Sequence, residues 1–222
     1  MSYSEELKIF QANHTYRERK ISGSTFRYIL SGKKDGKTLV FLNGGMVAQI
    51  YAQKYHGEVG GMVLISTGGM DEKTLKSLKK KYFFAPLMLF YMKHCNYEKL
   101  KPKLLKATMR HIRDESEEQI AYAKDMFETI FKEYKKEKDV HISGLLADLM
   151  NQTPVTEKDF EKLEGKVLLL LPNQDFFSGK MQEDLIRLMH DPKIRYVSGG
   201  HLSTILKADD YIRTIRSFLE EI

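Results

Sequence analysis

Three apolar runs of strand length constrain this chain more than any other feature. Thr38 to Leu42 (TLVFL), Met62 to Ile65 (MVLI) and the leucine run in Lys166 to Leu171 (KVLLLL) lack the in-and-out alternation of a half-exposed strand. A strand with apolar side chains on both sides of its pleat must be covered on both faces, and helices packed above and below a parallel sheet supply that cover. The runs therefore predict an α/β chain with a mostly parallel sheet.

The segments between them fit that prediction. TLVFL leads through Asn43-Gly44-Gly45 into a helical pattern from Met46 to Tyr55; Gly57 to Gly61 breaks it, and MVLI follows. Such a strand, helix, strand unit favours parallel pairing by a right-handed crossover. Two earlier β signals, Thr15 to Ile21 and Thr25 to Leu30, flank Ser22-Gly23-Ser24 and predict a hairpin. After KVLLLL come a loop with Asp175, a helix from Gly179 to Met189, a short strand Ile194 to Val197, Gly199-Gly200-His201 and an amphipathic helix, Ala208 to Glu220. The sheet is expected to hold about six strands. Residues 71–152 break this rhythm, being helical in period and rich in Lys, Glu, Met and Tyr. They predict a helical insertion dividing a core made of residues 1–70 and 153–222. Within it, Asp114 to Glu118 predict a helix start and Lys132 to Lys138 the end of that helix, as its dipole favours.

Composition narrows the class. With 42% hydrophobic and 30% charged residues in 222, the chain can bury one sizeable core. Cys95 has no cysteine partner and no paired Cys/His spacing suggests zinc, so a reducing compartment is expected. The first twenty residues show no apolar run with a small-residue cleavage site, which points to the cytoplasm. The longest apolar stretch, Tyr82 to Met92, contains Pro86 and falls short of the roughly 20 residues that cross a bilayer, so no transmembrane segment is expected. The net charge of +6 lies largely in Lys73 to Lys81 and Lys99 to Arg113, read as exposed helix faces without glycine-interleaved aromatics. A nucleic-acid partner is therefore not expected; contact with an anionic membrane surface ranks slightly above it. Oligomeric state stays open.

On these residues the chain resembles the α/β-hydrolase superfamily, in its bacterial esterase-like branch with a helical cap. TLVFLNGG resembles the third strand and oxyanion loop, VAQIYAQKYHGEVGGMVLISTGG the helix after the nucleophile with the next strand, KVLLLLPNQDFF the acid-bearing strand and loop, and YVSGGHLSTILKADDYIRTIRSFLEEI the histidine loop and last helix. The resemblance implies a carboxylic-ester or acyl hydrolase needing no metal or organic cofactor. Its chemistry uses a serine on a sharp G-x-S-x-G turn, a histidine that takes the serine proton and a carboxylate that orients the imidazole, in the order Ser, Asp, His. Asp175 and His201 match the last two, and Asn43, Gly44 and Gly45 match the oxyanion loop. The serine has no match. Read from the right, Gly44-Gly45-Met46 is the tail of the nucleophile turn and the serine slot falls on Leu42, a hydrocarbon. Two strand-helix units, roughly 60 residues, are then missing, and a family sheet order of 1-2-4-3-5-6-7-8 contracts to 1-2-3-6-7-8. The implied activity is weak or absent. The alternative is a nonenzymatic module of this type that binds a small apolar, ester-like molecule or a protein partner; a third reading is an internally deleted copy that folds poorly.

Each residue also has a plainer reading. His201 follows two glycines that let a loop lift an imidazole above a sheet edge, a setting His14, His56, His94, His111, His141 and His190 lack. Asp175 serves equally as a turn former or helix cap, with Asp184 as the fallback acid. The Asn43-Gly44-Gly45 segment fits either an oxyanion turn or a tight strand-to-helix connection. Ser66, Ser198 and Ser203 lie near the expected sheet edge or the histidine, but none occupies a nucleophile turn. The run Phe83 to Met92 resembles the family's acyl-pocket cap and reads equally as packing surface. Cys95 reads as a packed small residue.

Overall fold

The computed structural model describes residues 1–21, 24–29, 45–55, 57–112, 115–175, 177 and 179–222. The predicted strand Thr38 to Leu42, and with it Leu42, Asn43 and Gly44, lies outside the described residues.

Helix α1 (Tyr3–Asn13) precedes an antiparallel hairpin, β1 (Arg17–Ile21) and β2 (Ser24–Tyr28). The sequence reading made no provision for α1, although Ser2 and Glu5 form a capping box at its start, a pattern visible in the sequence. Helix α2 (Gly45–Lys54) follows and leads to β3 (Met62–Ile65). Five helices then intervene before the next strand: α3 (Glu72–Lys81), α4 (Ala85–His94), α5 (Tyr97–Met109), α6 (Glu117–Glu133) and α7 (Lys136–Met150). The chain closes with β4 (Val167–Pro172), α8 (Lys180–Leu188), β5 (Lys193–Val197), the short α9 (Ser203–Leu206) and α10 (Ala208–Glu221). No helix among the described residues is long and apolar enough to cross a membrane.

Strands β3, β4 and β5 form one parallel sheet in that order, with Met62 opposite Val167 and Leu168 opposite Lys193. The expected sheet of about six strands is not what the described residues form: the parallel sheet has three, and β1 and β2 pair only with each other. The charges of β1, whose sequence is RERKI, explain the separation. Its side chains from Arg17 to Lys20 are exposed, and a strand with polar groups on both faces cannot enter a sheet buried on both sides.

Strand β4 is buried along its whole length. Val167, Leu169 and Leu171 pack with Met46 and Ala52 of α2, Phe160, and Leu185 and Leu188 of α8. Leu168 and Leu170 point the other way, onto Tyr211 and Phe218 of α10. Period-two alternation thus splits one leucine run between two cores. Among the described residues β3 and β5 are the two edges of this sheet; Lys193 and Arg195 lie along β5 and disfavour further strand pairing there.

The basic run Lys132 to Lys138 does not end a single helix. Helix α6 stops at Glu133, Tyr134 and Lys135 are extended, and Lys136 opens α7. Among these five helices α4 packs on α7 and α5 on α6. Helix α1 also docks on α6: the Ser4 N–H donates to Asp125 at 2.7 Å and the Tyr122 hydroxyl to Glu6 at 2.7 Å. Val47 and Tyr51 of α2, with Tyr55 just past its end, remain exposed along one stripe.

Truncating the central strand tests this arrangement. Leu169→Ala empties a fully buried position and is expected to cost about 2–5 kcal/mol in urea denaturation. A loss below about 1 kcal/mol would be inconsistent with a core organised on β4.

Candidate functional site

The site is assembled where β4 and β5 end side by side. Because the strands are parallel neighbours, the loops that follow them leave the same sheet edge, where α/β folds place their ligand sites. Asn173, the first residue after β4, laces the loops together. Its N–H donates to the Val197 carbonyl at 3.0 Å, and its side-chain oxygen accepts the Gly199 N–H at 3.1 Å. The next N–H, from Gln174, donates to the Gly199 carbonyl at 3.0 Å. Gly199 has φ +112, and a Cβ there would stand 2.9 Å from a Glu115 carboxylate oxygen and 3.2 Å from the Lys207 nitrogen. Only glycine fits so tight a turn. Lys207 ties the turn down, donating to the Ser198 carbonyl at 2.9 Å and lying 3.4 Å from Glu115.

This lacing brings Asp175 and His201 together. His201 Nδ1 lies 3.1 Å from Asp175 Oδ1 and 3.2 Å from Oδ2. A carboxylate can only accept, so Nδ1 carries the proton and, in the neutral imidazole, Nε2 keeps its lone pair. The Asp175 side chain is fully enclosed, whereas that of His201 is 43% exposed. Oδ1 also accepts the Phe177 N–H at 3.2 Å, and the Phe177 ring lies 6.1 Å from the imidazole. Burial works to raise the Asp175 pKa, but the His201 hydrogen bond and charge, the Phe177 N–H and the nearby Ser66 hydroxyl outweigh it and hold the carboxyl below the ordinary aspartate value. The fallback acid Asp184 is engaged elsewhere, with Arg187 at 2.9 Å.

A polar cluster lies beside the pair. Ser203 Oγ and the Tyr211 hydroxyl share a buried hydrogen bond of 2.7 Å. Burial, with help from the Asp175 charge, raises the Tyr211 phenol above its ordinary value. Ser66, at the end of β3, takes φ +48, a left-handed conformation uncommon for a residue with a side chain. Its Oγ is the one buried side-chain oxygen or nitrogen among the described residues without a partner at hydrogen-bonding geometry, although it lies near enough to Asp175 to favour the carboxylate. Ser198 Oγ accepts from Lys207 at 3.1 Å. Thus none of the three serines considered from the sequence forms a hydrogen bond with His201.

Of the sequence-predicted oxyanion segment, Gly45 is described. It opens α2, and a Cβ there would come within 2.5 Å of the Thr67 side chain. The glycine is required by this approach of the helix to the loop after β3. Gln49, one turn on, secures the contact: its amide nitrogen donates to the Gly68 carbonyl at 2.9 Å, and its oxygen accepts the Met70 N–H at 3.0 Å. Gln49 is fully buried. Sequence reasoning missed Gln49, Asn173 and Lys207; the available signal for Gln49 was an amide on the apolar stripe of Met46 and Ala52. Cys95 is a half-buried free thiol whose Sγ faces the Met92 carbonyl at 3.5 Å. The described residues include no cluster of three or more His, Cys, Asp or Glu with metal-holding geometry.

This arrangement matches a known architecture. The structure resembles the crystal structure of the enol-lactonase from Burkholderia xenovorans LB400 with a TM-score of 0.58 at 12% sequence identity, over 79% of this chain and 62% of that one. The chain has the α/β-hydrolase fold. Weaker likenesses link it to MGS-M2, an α/β hydrolase from a Medee basin deep-sea metagenome library (TM-score 0.47, 14% identity, 79% of this chain and 62% of that one), and to a bacterial membrane phospholipase A described as a virulence factor (0.49, 17%, 80% and 54%). The chain therefore spans less than two thirds of the length of each hydrolase-fold structure. No family model matches the sequence, and no curated protein does.

Two measurements probe the site. Because the folded-state pKa of Asp175 lies below its unfolded value, its contribution to stability is full above about pH 4 and is lost as pH falls through the folded value. Asp175→Asn is expected to lose about 1.5–3 kcal/mol at pH 7, with the gap to the parent closing in acid. Urea denaturation at both pH values checks this, and a gap independent of pH would contradict it. Ser66→Ala removes a buried hydroxyl without a full partner and is expected to leave stability unchanged or raise it by about 1 kcal/mol. A comparable loss in the same assay would show that the hydroxyl is satisfied.

Proposed function

We propose that this chain belongs to a carboxylic-ester or acyl hydrolase lineage in which the acid and histidine persist while the nucleophile is gone. The single observation that carries the reading is the enclosed Asp175 carboxylate accepting from His201 Nδ1 at the ends of adjacent parallel strands. In the full mechanism Nε2 of such a histidine takes the proton of an attacking hydroxyl, and the carboxylate stabilises the imidazolium that forms. Here the slot holds Leu42, which has no proton to give and no lone pair with which to attack a carbonyl. Asn43, Gly44 and Gly45 would supply the oxyanion donors. The helices of residues 71–152 would serve as the cap over a core of residues 1–70 and 153–222, and the ligand would be a small apolar ester.

The exposed stripe of Val47, Tyr51 and Tyr55 supports the internally shortened reading. These side chains lie on or just past the helix that follows the nucleophile position, where the missing strand-helix units would pack. The same stripe favours the second reading, a module that binds an apolar molecule or protein partner without chemistry.

Turnover of p-nitrophenyl acetate and butyrate tests the loss of the nucleophile. The parent protein and His201→Ala are expected to release nitrophenol at the same slow rate, because removing a member of a triad costs orders of magnitude in rate. Multiple turnover that vanishes in His201→Ala would overturn the loss of function. Cooperative thermal unfolding of both proteins would exclude a poorly folded copy.

A further inference from the structure

Helix α4 and the two residues before it carry an apolar face left exposed among the described residues. Phe83, Phe84, Leu87, Phe90 and Tyr91 are exposed by 73, 65, 64, 61 and 60%. Their spacing places them on one stripe running from just before the helix towards its end. Leu87, Phe90, Tyr91, His94 and Cys95 line a shallow apolar groove of about 550 Å³. An exposed apolar patch of this kind marks a contact surface.

The charges around it specify the contact. Lys79, Lys80 and Lys81 form the last turn of α3 directly before the stripe, and Lys93 lies in the last turn of α4. Residues 73–96 include six lysines and no Asp or Glu. The acids just ahead of this segment are occupied: Asp71 accepts from the Lys73 and Thr74 N–H groups at its helix start, and Glu72 pairs with Lys76 at 2.7 Å. Cations at both ends of an aromatic stripe are complementary to anionic phosphates around an apolar layer.

We propose that this face of α4 docks on an anionic phospholipid bilayer, with the Phe83 to Tyr91 stripe in the acyl boundary and the lysines at the headgroups. At ten residues the helix is about 15 Å long. It can lie in the interface and cannot span, as interfacial amphipathic helices do. A second copy of the chain is a poorer occupant: two-fold pairing of this face would set lysines against lysines with no carboxylate in the segment to offset them. A neutral apolar ligand in the groove would leave the lysine rim without a role. The proposal does not depend on hydrolytic activity.

Co-sedimentation of the full chain with vesicles tests it, using phosphatidylcholine alone and phosphatidylcholine mixed with phosphatidylglycerol. The parent is expected to bind the mixed vesicles, and to release as salt rises. Leu87→Ser/Phe90→Ser removes two exposed apolar groups and is expected to weaken binding at least about tenfold. Lys79→Glu/Lys80→Glu, a second pair of exposed positions, should weaken it by at least about twenty-five-fold, since each lysine near an anionic surface contributes roughly fivefold and each reversal adds repulsion. Melting curves matching the parent show that both variants fold. Absence of binding to the anionic vesicles, or binding unchanged in both variants, overturns the proposal. So does a dimer in sedimentation velocity that Leu87→Ser/Phe90→Ser dissociates, which would assign the face to a second copy.

Discussion

Strand β4 is the member on which the rest of the structure is hung. It is buried on both faces, paired with β3 on one side and β5 on the other, and it delivers the chain to Asn173 and Asp175 at its carboxyl end. A parallel strand in this position fixes two things at once. Its side-chain alternation joins the core formed with α2 and α8 to the core formed with α10, and its direction brings the loop after β4 against the loop after β5. The meeting of Asp175 with His201 is a consequence of that adjacency. A shift in strand register would separate Asn173 from Val197 and Gly199, and the acid from the imidazole, while leaving most of the apolar burial intact. Hydrophobic burial thus holds the molecule together, and a few hydrogen bonds at the strand ends hold the pair in place.

Those bonds show why the polar groups are enclosed in this order. An aspartate taken out of water is costly unless its lone pairs are met. Asp175 meets that requirement with His201 and the Phe177 N–H, and the favourable interactions outweigh burial, since its carboxyl stays below the ordinary aspartate value. Gln49 obeys the same rule on the far side of the loop after β3: fully buried, it uses both ends of its amide on that loop and a third contact on the Gly45 carbonyl at 3.3 Å. Ser66 departs from it, combining positive φ with a hydroxyl that lacks full hydrogen-bond geometry. It sits one residue past β3, where the strand turns sharply out of the sheet beside the Asp175 carboxylate. Strain and an unsatisfied group at that point indicate that the position of the loop is set by its neighbours on both sides.

Much of this was legible in the sequence, and the reasons differ from element to element. The leucine run of β4 and the MVLI of β3 announced buried strands because both faces are apolar, and Gly199-Gly200-His201 announced a tight loop because only small residues permit that approach. Strand count was not legible in the same way. Local alternation correctly gave β1 and β2 as a hairpin, but pairing with the main sheet depends on distant surface, and the charges of RERKI decide against it. Helix α1 was missed because it buries no side chain of its own, so it leaves no apolar period, and only its Ser2–Glu5 capping box marked it. The boundary between α6 and α7 was misplaced because a basic run reads as one helix end, while Lys136 in fact opens the next helix. Gln49 and Asn173 were overlooked because their importance lies in which backbone groups they meet, and that information is tertiary.

The exposed apolar residues include two stripes that lie away from the acid and histidine loops in sequence. A chain that keeps β3, β4 and β5 in order keeps the site edge intact, because acid and histidine loops both belong to that trio. The stripe of Val47, Tyr51 and Tyr55 along α2 and the stripe on α4 are both open to water, yet they differ in their surroundings. The α2 stripe begins two residues after Gly45, and the one cation against it is Lys54, whose nitrogen lies 5.4 Å from the centre of the Tyr55 ring. The α4 stripe lies among the five helices between β3 and β4, close in sequence to lysines. Lys79, Lys80 and Lys81 precede the second stripe and Lys93 lies near its end, with no Asp or Glu in residues 73–96 and Lys76 paired to Glu72 just ahead of them. The charge pattern, rather than the apolar exposure, is therefore what distinguishes the two stripes.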